Sequence, residues 1–142
     1  MPATRLREKP SLARLAFDEA LRYESPVQTF FRTTTRQAEV SGIRIPAGEK
    51  VLLFLGAANR DLRRWGPDAG QMDITRKAAG HVAFGMGIHQ CVGQPVARLE
   101  AELVLTALAE RVERLEPAGD PVPKLNNTLK GWASVPVKVH RA

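Results

Sequence analysis

The sequence lacks several features that would narrow its function at once. Its 142 residues include one cysteine, so no intramolecular disulfide can form, and we expect a cytoplasmic protein from a reducing compartment. No apolar run reaches the roughly 18 residues of a membrane-spanning helix, and no signal-peptide pattern follows Met1. We therefore expect neither a membrane partner nor secretion.

Acidic residues are also in short supply, since 21 lysines and arginines outnumber 15 aspartates and glutamates and give a formal charge of +6. The arginines are scattered and only 6% of the residues are aromatic, so we expect no nucleic-acid partner. A positive surface can instead attract an acidic protein. Apolar and charged fractions of 44% and 25% are typical of a globular domain.

The segment from Phe84 to Gly93, FGMGIHQCVG, is the most informative part of the chain. Cys91 stands just ahead of a long helical pattern, where the helix dipole and free N–H groups can stabilise a thiolate. A lone cysteine before a helix is more often a buried small hydrophobic residue. Here, however, the complete pattern FxxGxHxCxG surrounds it. The residues alone leave both a packing role and a ligand role open for Cys91.

Other metal sites fit the sequence less well. A zinc site made by His81, His89 and Cys91 would lack a fourth ligand, because no CxxC or HxxxH pair is present. The CxxCH motif of covalent haem attachment is absent too. His81 has no role that the sequence assigns beyond a structural hydrogen bond.

The FxxGxHxCxG segment resembles the haem-binding loop of the cytochrome P450 family, in which a cysteine thiolate holds the haem iron. The resemblance implies haem b as cofactor, Cys91 as its axial metal ligand, and Arg32 and His89 as partners of the haem propionates. Phe84 would pack on the thiolate side of the porphyrin and restrict water. The implied cofactor-binding residues are Arg32, Phe84, Gly85, His89, Cys91 and Gly93; the resemblance implies no further catalytic residue in this chain.

Glu19 and Arg22 are three residues apart on a predicted helix, close enough to pair. Their position resembles the ExxR motif of the P450 K helix, whose buried ion pair supports the irregular segment before the cysteine loop. The family usually adds an arginine in the segment before Asp73, completing a triad. Gln71 stands in the matching stretch here, so we expect it to hydrogen-bond Glu19 without bringing a charge.

The resemblance begins near Leu6 and covers nearly the whole chain. It implies a truncated form, the C-terminal portion of a cytochrome P450 domain over residues 11–142, preceded by a disordered start at 1–10. The expected fold is α+β, with the K and L helices, a small antiparallel sheet, a meander and the cysteine loop. Periodicity predicts helices over 12–23 and 95–112 and strands over 27–37, 40–45 and 50–55. On the second helix, Arg98 is expected to face outward, and the expected buried side is Val96, Leu99, Leu103, Leu105, Leu108 and Ala109.

The resemblance implies a haem-thiolate monooxygenase that inserts one oxygen atom from O2 into a small organic substrate, with electrons from a ferredoxin-type donor. The tail from Asn126 to Trp132 resembles bacterial members that act on para-substituted aromatic acids. A second hypothesis is open: the chain is a non-catalytic remnant and at most a weak haem binder, since apolar helix faces would be left exposed.

Overall fold

A computed structural model describes residues 2–142 as a mixed α+β fold, as the sequence predicted. The helices are α1 (Pro2–Glu8), α2 (Ala13–Glu24), α3 (Leu55–Ala58), α4 (Leu62–Trp65) and α5 (Gln94–Arg111), with 3-10 turns at Pro10–Leu12 and Gly87–His89. The strands are β1 (Thr29–Thr33), β2 (Ala38–Val40), β3 (Ile43–Ile45), β4 (Lys50–Phe54), β5 (Val112–Pro117), β6 (Val122–Pro123), β7 (Trp132–Ser134) and β8 (Val137–Arg141). Each described helix is too short or too polar to span a bilayer.

The strands form four antiparallel pairs, β1–β4, β2–β3, β5–β8 and β6–β7. Residues 40–45, expected to form one short strand with a bend at Gly42, instead contain the end of β2, a chain reversal and β3. The chain reverses at Ser41 and Gly42, whose φ angles of 52° and 79° lie in the left-handed region. Glycine adopts that region without steric cost, so Gly42 permits the reversal. The β1–β4 pair carries Arg32, which lies opposite Val51 in the register.

The two long helices match their predicted positions within one residue at each end. α2 buries Ala13, Ala16, Glu19 and Arg22, spaced three apart along one face. Two of the four buried residues are charged, so the face that α2 presents to the rest of the chain is ionic as well as apolar. Glu19 and Arg22 bond to the irregular segment between β4 and the cysteine loop, and α2 also contacts α5.

The orientation predicted for α5 is wrong for Val96, Leu99, Leu103 and Arg98 and confirmed for Ala109. Val96, Leu99 and Leu103 are 59%, 57% and 62% exposed, whereas Ala109 is buried. Arg98, expected to face outward, is partly buried and bonds to Asp18 on α2. Periodicity shows which residues share a helix face, but it does not say whether another element lies against that face.

Residues 2–8 form helix α1, where the sequence led us to expect a disordered start over 1–10. α1 contacts α5, which gives the short helix a packing partner. Met1 lies outside the described residues. A small core of Trp65, at the end of α4, with Ala69 and Ala78 lies before the cysteine loop, and the centre of the Trp65 ring lies 5.4 Å from the guanidinium carbon of Arg22 on α2.

Candidate cofactor site

One open cavity of about 840 Å³ brings together most of the residues singled out from the sequence. Arg32, Phe84, Gly85, His89 and Cys91 all contribute to its wall, although Arg32 is far from the others along the chain. Its size falls within the range of about 300–1,000 Å³ that is usual for ligand pockets. The remaining wall is almost entirely apolar, and its further residues are Phe17, Leu21, Pro26, Val27, Phe30, Leu53, Leu55, Val82, Ala83, Met86 and Ala97.

The cysteine loop is closed by its own backbone. The N–H of Cys91 donates to the carbonyl oxygen of Phe84 over 2.7 Å, so the thiol is held at the mouth of a tight loop. Gly85 makes this closure possible: its φ is +72°, and a Cβ there would lie 2.5 Å from the carbonyl oxygen of His89. Any other residue would force the loop open.

Cys91 itself is an exposed free thiol that precedes the first turn of α5. Gly93 is not part of the cavity wall but lies directly against the sulfur, since a Cβ on it would be 3.7 Å from Cys91 Sγ. The thiol is thus accessible from the cavity and close to the positive end of an 18-residue helix.

Two side chains able to donate hydrogen bonds to an anion share the cavity wall with the thiol. Arg32 on β1 is partly buried, donates from Nη1 to the carbonyl oxygen of Phe31 over 2.8 Å, and lies 5.0 Å from the centre of the Phe30 ring. His89 ends the 3-10 turn and is exposed. A guanidinium and an imidazole at the edge of an apolar cavity are suited to carboxylates.

The Glu19–Arg22 pair is completely buried, with 0% of either side chain exposed. Arg22 donates from Nε and Nη2 to the two carboxylate oxygens of Glu19, at 2.7 and 2.8 Å. Its remaining N–H groups reach the backbone oxygens of Asn59 and Ala69, both at 2.8 Å, and of Gln71 at 3.0 Å. All five guanidinium donors are therefore used, and α2 is tied to three points of the irregular segment.

Arg76 is the third member of this ionic cluster, and the expectation for Gln71 was wrong. Arg76 Nε lies 3.3 Å from Glu19 Oε1, and the backbone N–H of Asp73 donates to the same oxygen over 2.9 Å. Gln71 offers only its backbone oxygen, to Arg22. The spacing of the sequence does not identify Arg76 as the partner, because a turn from Asp73 to Arg76 brings it back to Glu19.

These contacts decide the ionisation of Glu19. Burial by itself would raise the pKa of the carboxyl group. The hydrogen bonds from Arg22 and from the N–H of Asp73, together with the charges of Arg22 and Arg76, outweigh burial and hold the pKa of Glu19 below its ordinary value. The cluster is therefore an ionised, compensated support for the segment before the loop.

Asn59 connects this support to the cysteine loop, a connection that sequence patterns did not reveal. Its side chain is buried and donates to Ser25 Oγ over 2.9 Å, while its Oδ1 accepts the N–H of Val82 over 2.8 Å. Val82 lies two residues before Phe84. The end of α2 and the start of the loop are thus joined through one amide group.

A second charged group, Asp18 and Arg98, lies next to the ring of Phe84. Arg98 Nε donates to Asp18 Oδ1 over 2.9 Å, and His81 Nε2 is 3.6 Å from the same oxygen. Burial lowers the pKa of His81, and the nearby Asp18 only partly opposes that effect. His81 Nδ1 accepts the N–H of Ala83 over 3.2 Å, the structural hydrogen bond expected of it.

No three histidine, cysteine, aspartate or glutamate side chains cluster as metal ligands within residues 2–142, so the zinc alternative gains no support. The cavity fits haem by the nature of its donors: one thiol, two groups suited to carboxylates and apolar walls. The thiol of Cys91 is exposed on this wall.

The family model and the known proteins that this chain resembles point to one protein family. The family model described as Cytochrome P450 matches residues 3–140. Cytochrome P450 CYP199A2 of Rhodopseudomonas palustris is 62% identical over 135 residues, covering 95% of this chain and 32% of that protein. The 6-deoxyerythronolide B hydroxylase of Saccharopolyspora erythraea is 39% identical over 137 residues, covering 94% of this chain and 34% of that protein.

Solved structures agree in fold. CYP108D1 from Novosphingobium aromaticivorans superposes with a TM-score of 0.91 at 37% identity, covering 99% of this chain and 34% of that one. P450BioI, solved in complex with hexadec-9Z-enoic acid ligated acyl carrier protein, gives 0.90 at 36% identity, covering 96% of this chain and 36% of that one. This chain spans about a third of the length of the relatives it matches.

Proposed function

Because the chain belongs to the cytochrome P450 family, we propose that it supplies the thiolate side of a haem-thiolate monooxygenase. The reaction inserts one oxygen atom from O2 into a small organic substrate. The observation that carries the proposal is the single cavity whose wall holds Cys91, His89 and Arg32. Neither a lone buried cysteine nor a zinc site would require an open apolar cavity with two anion-binding groups beside the thiol.

Each residue has a distinct part in this proposal. Haem b supplies the oxygen chemistry when bound, and a thiolate ligand favours O–O cleavage by donating electron density. Cys91 binds the iron through Sγ, and the start of α5 stabilises its thiolate. Arg32 and His89 bind the propionates and orient the macrocycle. Phe84 and the other apolar wall residues exclude water from the thiolate side.

The electron donor in this proposal is a ferredoxin-type protein. The net charge of +6 supports a surface that attracts an acidic donor. The proposal includes a cytoplasmic location, where the single thiol of Cys91 stays reduced and able to bind iron.

The substrate class that we propose is a para-substituted aromatic acid. The tail segment that suggested this class lies beside the cavity: Leu129 forms a β-bridge with Val27, and Lys130 donates its backbone N–H to the carbonyl oxygen of Pro26 over 2.7 Å. Pro26 and Val27 belong to the apolar wall. We expect 4-methoxybenzoate to shift the absorption spectrum of the haem-loaded chain and 3-methoxybenzoate to do so less; equal responses would contradict this substrate class.

Titration of the purified chain with haem tests the cofactor assignment. The reduced, carbon monoxide-treated product is expected to show the red-shifted band of a thiolate-ligated haem, and Cys91→Ala is expected to abolish it. Arg32→Gln is expected to weaken haem binding about tenfold, because a hydrogen bond to a charged group contributes about 1.5 kcal/mol or more. Arg36→Gln, at an exposed position after the same strand, serves as the control.

A non-catalytic haem binder is the second candidate, favoured by the exposed apolar face of α5 at Val96, Leu99 and Leu103. Both candidates predict the thiolate spectrum. Only the monooxygenase predicts oxygenated product when the haem-loaded chain receives substrate and hydrogen peroxide as a surrogate oxidant. A thiolate spectrum without product supports the second candidate, and a spectrum that is insensitive to Cys91→Ala contradicts both.

A further inference from the structure

The tip of the β6–β7 hairpin, residues 124–131, has hydrogen bonds of its own. Lys124 donates its backbone N–H to the carbonyl oxygen of Gly131 over 3.0 Å, which closes the tip at its base. Within the tip, Asn126 Oδ1 accepts the backbone N–H of Leu129 over 2.8 Å. These bonds do not involve the rest of the chain, so the way in which the tip is attached to the rest of the chain is a separate question.

Three contacts join this tip to the short connection between α2 and β1. Lys130 donates its backbone N–H to the carbonyl oxygen of Pro26 over 2.7 Å, and Leu129 forms a β-bridge with Val27. The third contact is an ion pair, in which Lys130 Nζ lies 2.5 Å from Glu24 Oε2. Pro26 and Val27 belong to the wall of the cavity that holds Cys91. The three contacts therefore hold the tip against that wall.

The two ends of the ion pair differ in how firmly the chain holds them. Glu24 is the last residue of α2, and its carbonyl oxygen accepts from Gln28 Nε2 over 3.0 Å. The next residue, Ser25, is 1% exposed, and its Oγ accepts from Asn59 Nδ2 over 2.9 Å. Lys130, by contrast, belongs to a tip whose residues are all exposed. The carboxylate is thus part of a hydrogen-bonded framework to which the ammonium group attaches the hairpin.

The ion pair is open to water and therefore to salt. The side chains of Lys130 and Glu24 are 43% and 46% exposed, and both line a separate polar cavity of about 320 Å³. Arg60 lines the same cavity, but its Nε and Nη2 already donate to the carbonyl oxygen of Tyr23, at 3.1 and 2.6 Å. Lys130 is thus the cation that pairs with Glu24. Because salt screens exposed charges, the strength of this pair depends on ionic strength.

We propose that Lys130 is a positioning residue: its ion pair with Glu24 is a salt-sensitive tether that holds the hairpin tip against the wall of the cavity. Lys130 lines the polar cavity, so it acts on the apolar one through the contacts of the tip with Pro26 and Val27. The consequence of the tether for a substrate rests on the proposed function, whereas the tether itself does not.

Hydrogen exchange of the Lys130 amide measures the tether in the full chain without haem, because this N–H is protected only while it donates to Pro26. Raising the ionic strength from about 0.01 M to about 1 M shortens the Debye length about tenfold. We expect the protection factor of Lys130 to fall about 1.5- to fivefold, the range for an exposed ion pair. The Lys124 amide, which reports the closure of the tip itself, is expected to keep its protection. An unchanged Lys130 amide, or an equal loss at both amides, would overturn the proposal.

Variants separate a charge effect from a packing effect. Lys130→Gln and Glu24→Gln are each expected to lower the protection of the amide at position 130 about 1.5- to fivefold and to remove its salt dependence. The exchange of charges in Glu24→Lys with Lys130→Glu is expected to restore both. Lys124→Gln removes the same charge from an exposed position of the same tip and, as the control, is expected to leave the amide unchanged. Failure of the charge exchange to restore protection would show that the side chains act by packing and would overturn the proposal.

The haem-loaded chain provides a second readout, the affinity for 4-methoxybenzoate measured from the absorption shift. Glu24→Gln and Lys130→Gln are both expected to weaken this affinity about 1.5- to fivefold, because both release the tip, and to leave the affinity for haem unchanged. Direct attraction of the ligand by Lys130 would instead leave Glu24→Gln as tight as the original chain or tighter, and that result would contradict the positioning role. Failure of the original chain to give a thiolate spectrum would count against the proposed function alone, and the exchange of the Lys130 amide would still decide on the tether.

Discussion

Glu19 and Arg22 are fully buried and hydrogen-bonded within the chain, whereas Cys91 is exposed, and its neighbours Ile88 and Val92 are 96% and 98% exposed. The two regions belong to one connected structure, joined through Asn59 and the segment before Phe84. In the ionic cluster of Glu19, Arg22 and Arg76, the polar groups are hydrogen-bonded within the chain. The cluster therefore contributes to stability. The cysteine loop leaves Cys91 and His89 exposed, in keeping with the binding role that we propose for it.

The largest expected loss of stability comes from disrupting the buried ion pair of Glu19 and Arg22. Arg22→Leu leaves the buried carboxylate of Glu19 without its main partner, and it also removes three bonds to backbone oxygens. We expect a loss of about 3–5 kcal/mol in the free energy of unfolding, measured by urea denaturation, because a buried charge is left uncompensated.

Arg63→Gln provides the control for this change, since Arg63 pairs with Asp61 but its side chain is 91% exposed. Its expected effect is within about 0.5 kcal/mol. A loss of less than about 1 kcal/mol for Arg22→Leu would mean that the buried cluster contributes little to stability. The cluster and the cysteine loop would then not differ in this respect.

A smaller effect is expected at Gly85 in the cysteine loop, which can be compared with Gly42 in the β2–β3 hairpin. Gly42 and Gly85 have φ angles of +79° and +72°, but a Cβ on Gly42 would meet nothing within 4 Å. We expect Gly42→Ala to cost about 1–2 kcal/mol in unfolding free energy, from backbone strain alone. Gly85→Ala adds the clash with His89 and is expected to cost more and to abolish haem binding.

This pair separates the loop's binding role from general stability. Unfolding in urea gives the stability of each variant, and haem titration gives its affinity. If Gly85→Ala binds haem as well as Gly42→Ala, then the closure of the loop is not what presents Cys91.

The smallest effect concerns pH. The folded pKa of His81 is lowered by burial, so between that value and the ordinary value near 6.5 the unfolded chain binds a proton that the folded chain does not. Acidification through this window therefore favours unfolding. His81→Phe should flatten the dependence of unfolding free energy on pH below 6.5; an unchanged profile in this variant would show that other groups cause it.

Local patterns predicted much of the fold. The spacing of apolar residues located α2 and α5 within one residue, because a helix is built from contacts three and four positions apart. The sequence predicts one short strand with a bend at Gly42 where the structure has a full reversal at Ser41–Gly42, because alternation does not distinguish a bend from a reversal in so short a segment. The wrong orientation of α5 arose because a helix face is buried only where another element meets it.

The sequence by itself determined the chemistry of the cysteine loop and its resemblance to a family. Those signals lie within ten residues, FGMGIHQCVG, and depend on residue types rather than on the path of the chain. Only the tertiary structure decided that Arg76, and not Gln71, completes the cluster around Glu19, and that Asp18 pairs with Arg98. These partners are 57 and 80 positions apart, and the chain path that joins them results from packing that no local spacing encodes.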